Sequence, residues 1–364
     1  MQTLCSSIEG TDLLAFYNNV AAATTSESVV TLSRSTFNNA RYEKANFTMD
    51  DDDRILALRK SSVPGGDGSQ VFFNALVNSY RDISLNPGVA VSNILLTEFP
   101  DLIPPVALSV IARFSTGVVS ITMSEHVDAT PGASVNTSLL FLTDFTGAKN
   151  ISLVGASVTE VDGRVINITL TEEQRVDAIE ASATPGGDHT TLFFDVMPNA
   201  FTDIAGIPTL GIFNITVVER ADALIPLAEK AVMDFTTGNL IVMCAETIDT
   251  STVNASFFYL SNSAGQFTIQ LIGAEVTRVD SLNITITLLE TQRELALYLS
   301  SQPINGDNDG AIVLDLKADG FRDIGQLHNQ EQTGLIVTEL PDEVSPTFVS
   351  ASLNYSTGLL RITA

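Results

Sequence analysis

The 364-residue chain has no tryptophan, three histidines and two cysteines, and its 43 acidic residues far outnumber its 18 basic ones. The formal charge of −25 repels nucleic acid and anionic membranes, so neither is expected as a partner. The histidines lack the spacing of a metal site or catalytic triad, and the Gly-rich stretches lack the lysine of a phosphate loop. We therefore expect that the chain is not an enzyme.

Long apolar runs are also missing, since none approaches the roughly 18–20 residues of a membrane span. The start, MQTLCSSIEG, has neither the basic residues nor the apolar stretch of a signal peptide. Val, Ile, Thr and Ser are abundant, which favours strands, and a hydrophobic content of 45% is sufficient for packed cores. The length predicts two to four domains.

The chain repeats itself with a period of about 120 residues, the size of an independently folding domain. An F/Y-S/T-T-G motif followed by alternating apolar residues begins at Phe114, Phe235 and Tyr355. The alignment places further residues in fixed columns, namely Arg54, Arg175 and Arg293, and Asp82, Asp203 and Asp323. Every repeat is therefore expected to have the same fold.

The pattern within each repeat predicts β-structure. Val119, Ile121 and Met123 alternate with polar residues, as in a strand with one buried face. The STG triplets, and the Gly/Asp stretches at Pro64, Pro185 and Asn305, are interpreted as turns, PGGDG in particular as a hairpin turn. One or two helical turns are expected in LTEEQRVDAIEAS, where Thr171 caps and Gln174 lies three residues on.

The predicted fold is all-β: tandem Ig-like Greek-key sandwiches, end to end as a rod with short, proline-containing linkers. Repeat 1 covers residues 1–100 and lacks its first strand and hairpin, repeat 2 covers 101–221, and repeat 3 covers 222–341. Residues 342–364 are the first strands of a further repeat. They are either the continuation of a longer array or a donor segment that completes another copy. The overlap of Met1–Cys5 with Leu360–Ala364 favours the continuation.

The units resemble a known family through the pattern F-S-T-G-x-L-x-I-x-x-S-E-x-V-D, then L-x-G-A, I-T-L-T, F-x-D-I and a linker with proline. They are similar to the tandem Ig-like repeats of very large surface proteins of bacteria and protists. The resemblance covers all three units and implies an extracellular array used for adhesion, coat or filament construction. The plan also resembles cadherin ectodomains, although the DxNDNAP linker of cadherins is absent.

Eight Asn-X-Ser/Thr sequons indicate a secreted protein with N-linked glycans, in which Met1 is not the native start. They begin at Asn46, Asn136, Asn150, Asn167, Asn214, Asn254, Asn283 and Asn354. The other reading is that a Ser/Thr-rich chain contains such triplets by chance.

Carboxylates recur in fixed columns near the linkers, where Ca²⁺ could bind between converging loops. The candidates are Glu98, Asp101 and Asp82, then Glu219, Asp222, Asp203 and Glu246, and finally Glu339, Asp342 and Asp323. Glu219 and Asp222, near Asp203 and Glu246, are the expected set. The competing interpretation is that the aspartates cap turns and the glutamates are solvated.

Cys5 and Cys244 occupy the same repeat column on the buried face of a strand. No disulfide is expected between them, because they belong to different repeats. The sequence thus predicts a structural building block of an extracellular filament, coat or appendage. Its partners would be further copies end to end, with lateral or other surface proteins. The alternative is the ectodomain of a cadherin-like adhesin or receptor that binds a partner through a terminal domain.

Overall fold

A computed structural model describes residues 4–7, 14–17, 29–32, 35–41, 44–82, 84–262, 265, 267–301 and 310–363. The chain forms two compact units. Unit 1 comprises Met1–Ala183 with Asp188–Arg220, and unit 2 comprises Thr184–Gly187 with Ala221–Ala364. The described residues are mainly strands in several sheets, as the all-β prediction requires. The repeat boundaries stay predictions.

Unit 1 contains three sheets from its first part and one large sheet from its second part. The first part consists of β1 (Leu4–Ser7), β2 (Leu14–Tyr17), β3 (Val29–Thr31), β4 (Thr36–Arg41), β5 (Lys44–Thr48), α1 (Asp51–Leu58), β6 (Phe72–Ala75), β7 (Arg81–Asp82) and β8 (Val91–Leu95). The second part consists of β9 (Ala107–Arg113), β10 (Val118–Val127), β11 (Leu140–Thr143), β12 (Asn150–Ser152), β13 (Ser157–Val158), β14 (Gly163–Thr169), α2 (Glu172–Glu180), β15 (Phe193–Val196) and β16 (Ile212–Arg220).

The second part of unit 1 has the strand order β12-β11-β15-β16-β9-β10-β14-β13. Strand β16 joins two halves, because it starts antiparallel to β15 and ends parallel to β9. The STG turn closes the β9–β10 hairpin, with Gly117 at a φ of 64°. Val119, Ile121 and Met123 of β10 are fully buried, which confirms the alternation predicted for this strand.

Unit 2 repeats this arrangement. Its elements are β17 (Ala228–Asp234), β18 (Asn239–Asp249), β19 (Phe258–Ser261), β20 (Thr268–Gln270), β21 (Glu275–Val276), β22 (Ser281–Thr287), α3 (Glu290–Leu299), β23 (Val313–Leu316), β24 (Arg322–Asp323), β25 (Gln332–Leu340), β26 (Ser350–Asn354) and β27 (Leu359–Thr363). The sheet order β20-β19-β23-β25-β17-β18-β22-β21 matches the large sheet of unit 1 strand for strand. The matching sequence columns therefore form matching elements.

Helix α2 lies where the sequence predicts helical turns, and its capping box is present. The Gln174 amide donates to Thr171 Oγ1 (3.2 Å), and the Thr171 amide donates to Gln174 Oε1 (2.9 Å). The helix is longer than one or two turns, and α1 and α3 occupy the same position elsewhere in the chain. In α3 the N-cap is Leu289, which has no side-chain acceptor, so only the Gln292 half of the box forms.

The prediction of a hairpin turn at PGGDG is wrong. The segment connects α1 to β6, and its counterpart at Pro185 lies between α2 and β15. The amide of Gly68 donates to the Ser61 carbonyl (3.0 Å), so this segment turns back toward the residues that follow the C-terminus of α1. The stretch at Asn305 lies outside the described residues.

The β26–β27 hairpin exposes the positions that are buried in the preceding repeats. Tyr355 is 91% exposed, although the equivalent Phe114 and Phe235 are fully buried. Leu360 and Ile362 also lie on the surface, in the columns of buried β10 residues. Residues 350–363, which include this hairpin, are all exposed.

Candidate metal centre

Three carboxylates meet in unit 1: Asp101, Glu125 and Asp203. One oxygen from each lies within 4.8 Å of the others. Asp101 lies in the segment that connects β8 to β9. Glu125 is near the end of β10, where the strand alternation continues the buried face beyond Met123. The two-residue period of β10 thus places the charged side chain of Glu125 on the buried face of the strand.

A tight turn holds Asp203. Its amide donates to the Ile207 carbonyl (3.0 Å), and the Ile207 amide donates back to Asp203 Oδ1 (2.7 Å). Gly206 allows the turn at a φ of 87°. Asp203 is only 3% exposed, and its Oδ2 has no hydrogen-bond partner in the described part of the chain. Asp82 and Asp323 accept in the same way from the amide four residues on.

Arg54 of α1 lies beside this cluster. Its Nη1 donates to Asp101 Oδ2 (2.5 Å) and its Nη2 to Glu125 Oε2 (2.8 Å). Asp51 accepts from the same guanidinium through Oδ1 and from His126 Nδ1 through Oδ2 (2.5 Å). The helix of the first predicted repeat is thereby tied to the linker and to a strand of the second.

The pKa values of two of the clustered carboxyl groups, Glu125 and Asp203, are raised. Burial raises the pKa of Glu125, and the Asp101 and Asp203 charges add to the effect, although Arg54 opposes it. Burial also raises the pKa of Asp203, against the Ile207 hydrogen bond. Burial alone would raise the pKa of Asp51, but hydrogen bonds from His126 and Arg54 hold it below its ordinary value.

A second cluster of the same columns occurs in unit 2: Asp222, Glu246 and Asp323. The grouping therefore differs from the expected set, in which Asp222 lay near Asp203 and Glu219 took part. Asp203 belongs instead with Asp101 and Glu125. The candidates from the sequence include five of these six residues, and Glu125, which shares the column of Glu246, is not among them. The columns also did not show which repeat supplies each residue.

The linker glutamates bind backbone amides. Glu219 accepts from the Ala183 amide (2.8 Å) and the Leu192 amide (2.6 Å). Glu339 accepts from the Ser301 and Ile312 amides, and Glu98 from the Ser62 amide. Each of these glutamates binds the segment that follows the helix of its repeat. None of the three belongs to a metal cluster of the described residues.

The other candidates lie apart from the two clusters. Asp82 is bound by the amide and side chain of Asn86. Asp342 accepts from Arg293 Nη1 (2.9 Å) through Oδ2, the same atoms that join Arg54 to Asp101. An arginine from the helix thus binds the linker aspartate in each unit. We call this arginine–aspartate pair the joint.

Seven of the eight sequon asparagines are exposed. The exception is Asn167, which is half-buried and whose Oδ1 accepts from Ser120 Oγ (2.7 Å). Cys244 is a buried free thiol, and burial, with the Glu246 and Glu229 charges, raises its pKa to about 12. The Cys5 side chain lies outside the described ones, so its predicted lack of a disulfide stays a prediction. No helix among the described residues is long and apolar enough to cross a bilayer.

No protein-family model and no curated protein matches the sequence. Among solved structures, the N-terminal part of the bacterial S-layer protein SbsC aligns with 52% of the chain at 16% identity and a TM-score of 0.24. A longer SbsC structure, residues 31–844, aligns with 69% at 12% identity and 0.22, and the N-terminal four Ig domains of Dscam1 with 69% at 12% and 0.16. The chain spans 45%, 28% and 54% of those three chains respectively. TM-scores this low establish neither a shared fold nor a shared family.

Proposed function

We propose that the chain is a building block of an extracellular, N-glycosylated filament, coat or cell-surface appendage. The observation that carries the proposal is the joint. Arg54 binds Asp101 and Arg293 binds Asp342 through the same pair of atoms, in columns about 240 residues apart. A chain that forms the same ion pair at two of its linkers is suited to a linear array.

The repeats themselves are proposed to be Ig-like Greek-key sandwiches. The strand order supports this, because β9, β10, β14 and β13 form one half and β12, β11, β15 and the start of β16 form the other. Successive strands alternate between the halves in pairs, and the end of β16 runs parallel to β9. Unit 2 has the same order.

End-to-end assembly is proposed to involve the β26–β27 hairpin. In repeats 2 and 3, the residues in the columns of Leu360 and Ile362 are fully buried within their own repeat. We propose that a further copy of the repeat covers them here, end to end. Lateral contacts with other surface proteins would use the sheet surfaces, and the exposed sequons would carry the glycans. On this proposal the chain has no catalytic role.

Electron microscopy of the purified chain tests the proposal. We expect linear assemblies, which Leu360→Asp with Ile362→Asp should abolish because two charges would enter the covered face. Ser352→Asp, on the opposite side of the same hairpin, is the matched control and should leave them intact. Compact particles that never assemble would contradict the proposal. Separate rods that bind a partner through one terminal domain would favour the adhesin alternative.

A further inference from the structure

Asp203 presents a buried carboxylate oxygen to a group of like charges. Its Oδ1 is satisfied by the Ile207 amide, whereas its Oδ2 has no hydrogen-bond partner in the described ranges. A buried acceptor of this kind is unfavourable unless a donor or a cation binds it. Asp203 therefore has the position of a ligand rather than of a turn cap alone.

Two further carboxylates complete the geometry. The ligand oxygens of Asp101, Glu125 and Asp203 all lie within 4.8 Å of one another. Calcium binds oxygen at about 2.3–2.6 Å, so ligands on opposite sides of one ion are about 4.6–5.2 Å apart. The spacing of the three groups is thus compatible with one shared calcium ion.

The charge of the cluster also suits a divalent cation. Arg54 binds one oxygen of Asp101 and one of Glu125 and is shared with Asp51, so it does not neutralise the three carboxylates of the cluster. The raised pKa values of Glu125 and Asp203 report the same repulsion and burial. A divalent ion bound by the three carboxylates would offset that repulsion.

We propose that Asp101, Glu125 and Asp203 bind one calcium ion, which fastens the linker between β8 and β9 to the second predicted repeat. The recurrence of the same columns as Asp222, Glu246 and Asp323 in unit 2 supports a built arrangement over a chance contact. The site is independent of the proposed surface role, since a chain that never assembles can still bind calcium.

Equilibrium dialysis of the full chain against radioactive calcium in 0.15 M NaCl tests the site. Asp203→Asn keeps the Oδ1 acceptor for Ile207 but removes a charged ligand. Asp82→Asn is the matched control, because Asp82 forms the same turn outside any cluster of the described residues. We expect Asp203→Asn to bind one calcium fewer than the wild type, and Asp82→Asn to bind the same number. The dissociation constant should be on the order of 10⁻⁴–10⁻³ M, as in extracellular modules.

Equal calcium binding by Asp203→Asn and the wild type would overturn the proposal, as would an equal loss in Asp82→Asn. Thermal unfolding provides the check on folding. In EDTA, Asp203→Asn should melt no lower than the wild type, because removing a charge relieves repulsion. If it misfolds, Glu125→Gln serves the same test. Calcium should raise the wild-type melting temperature more than that of the variant. An equal rise with Mg²⁺ or with added NaCl would show general screening and would also overturn the site.

Discussion

The buried thiol of Cys244 allows a quantitative test of the packing in unit 2. Cys244 is 6% exposed on β18, and burial, followed by the Glu246 and Glu229 charges, raises its pKa from 9.0 to about 12. Only the thiolate reacts with iodoacetamide. At pH 8 about a tenth of an ordinary thiol is ionised but only about 10⁻⁴ of one with a pKa of about 12, so the native protein should react about 1,000-fold more slowly than the unfolded chain.

The assay is alkylation at pH 8 with and without urea, quantified by mass spectrometry on the peptide that contains Cys244. Lys230→Cys is a matched control, because Lys230 is exposed on the neighbouring strand and pairs with Met243, next to Cys244. It should react at about the unfolded rate. A native Cys244 rate within tenfold of the unfolded rate would refute the reasoning.

The raised pKa also fixes the sign of a pH effect. The folded state favours the neutral thiol, so this contribution to stability is fully present below pH 9 and is lost as the pH rises toward about 12. Each pH unit in that window removes up to about 1.4 kcal/mol from the free energy of unfolding. Cys244→Ala should reduce this slope in urea titrations at successive pH values. An unchanged slope would assign the alkaline loss to other groups.

Three further predictions concern the cap, the linker and the glycans. Thr171→Ala removes an N-cap acceptor and should lower the free energy of unfolding by about 1 kcal/mol. Leu289→Thr supplies such an acceptor and should raise the free energy of unfolding by about 0.5–1 kcal/mol. Changes of the same sign for the two variants in urea denaturation would contradict this. Glu219→Ala should cost about 2–4 kcal/mol by the same measurement, because two backbone amides lose a charged acceptor; a change below about 0.5 kcal/mol would contradict it. In glycopeptide mass spectrometry of the secreted protein, Asn167 should be occupied less than exposed Asn150, because its amide is half-buried and hydrogen-bonded; the reverse order would be evidence against this placement.

Local patterns predicted the local structure well. The two-residue period of β10 and the Thr171–Gln174 spacing of α2 are properties of neighbouring residues, and both were confirmed. The α1 and α3 helices were missed as helices because their caps, Asp50 and Leu289, do not repeat the threonine. The constant signal was the arginine column, which lies in all three helices.

Glycine-rich turns were harder to predict. A Gly/Asp stretch before an apolar run is common to hairpins and to helix–strand connections, because both need positive φ. Gly65 has a φ of 88° in a connection of the second kind. Only the helix before it distinguishes the two, and that helix was itself not predicted. One missed element thus produced a second error.

The candidate site shows the same limit at longer range. The sequence pairs Glu98 with Asp101, and the pair suggested one shared role. The structure separates them: Glu98 accepts from the Ser62 amide in the first predicted repeat, whereas Asp101 accepts from Arg54 of that repeat and also lies beside Glu125 and Asp203 of the second. Residues three apart in an extended chain point to opposite sides, so the spacing itself divides the pair. A short linker can therefore place one carboxylate against the repeat before it and the other between the two repeats. That division is a property of the two surfaces that the linker meets, and a one-dimensional column of acidic residues does not contain it.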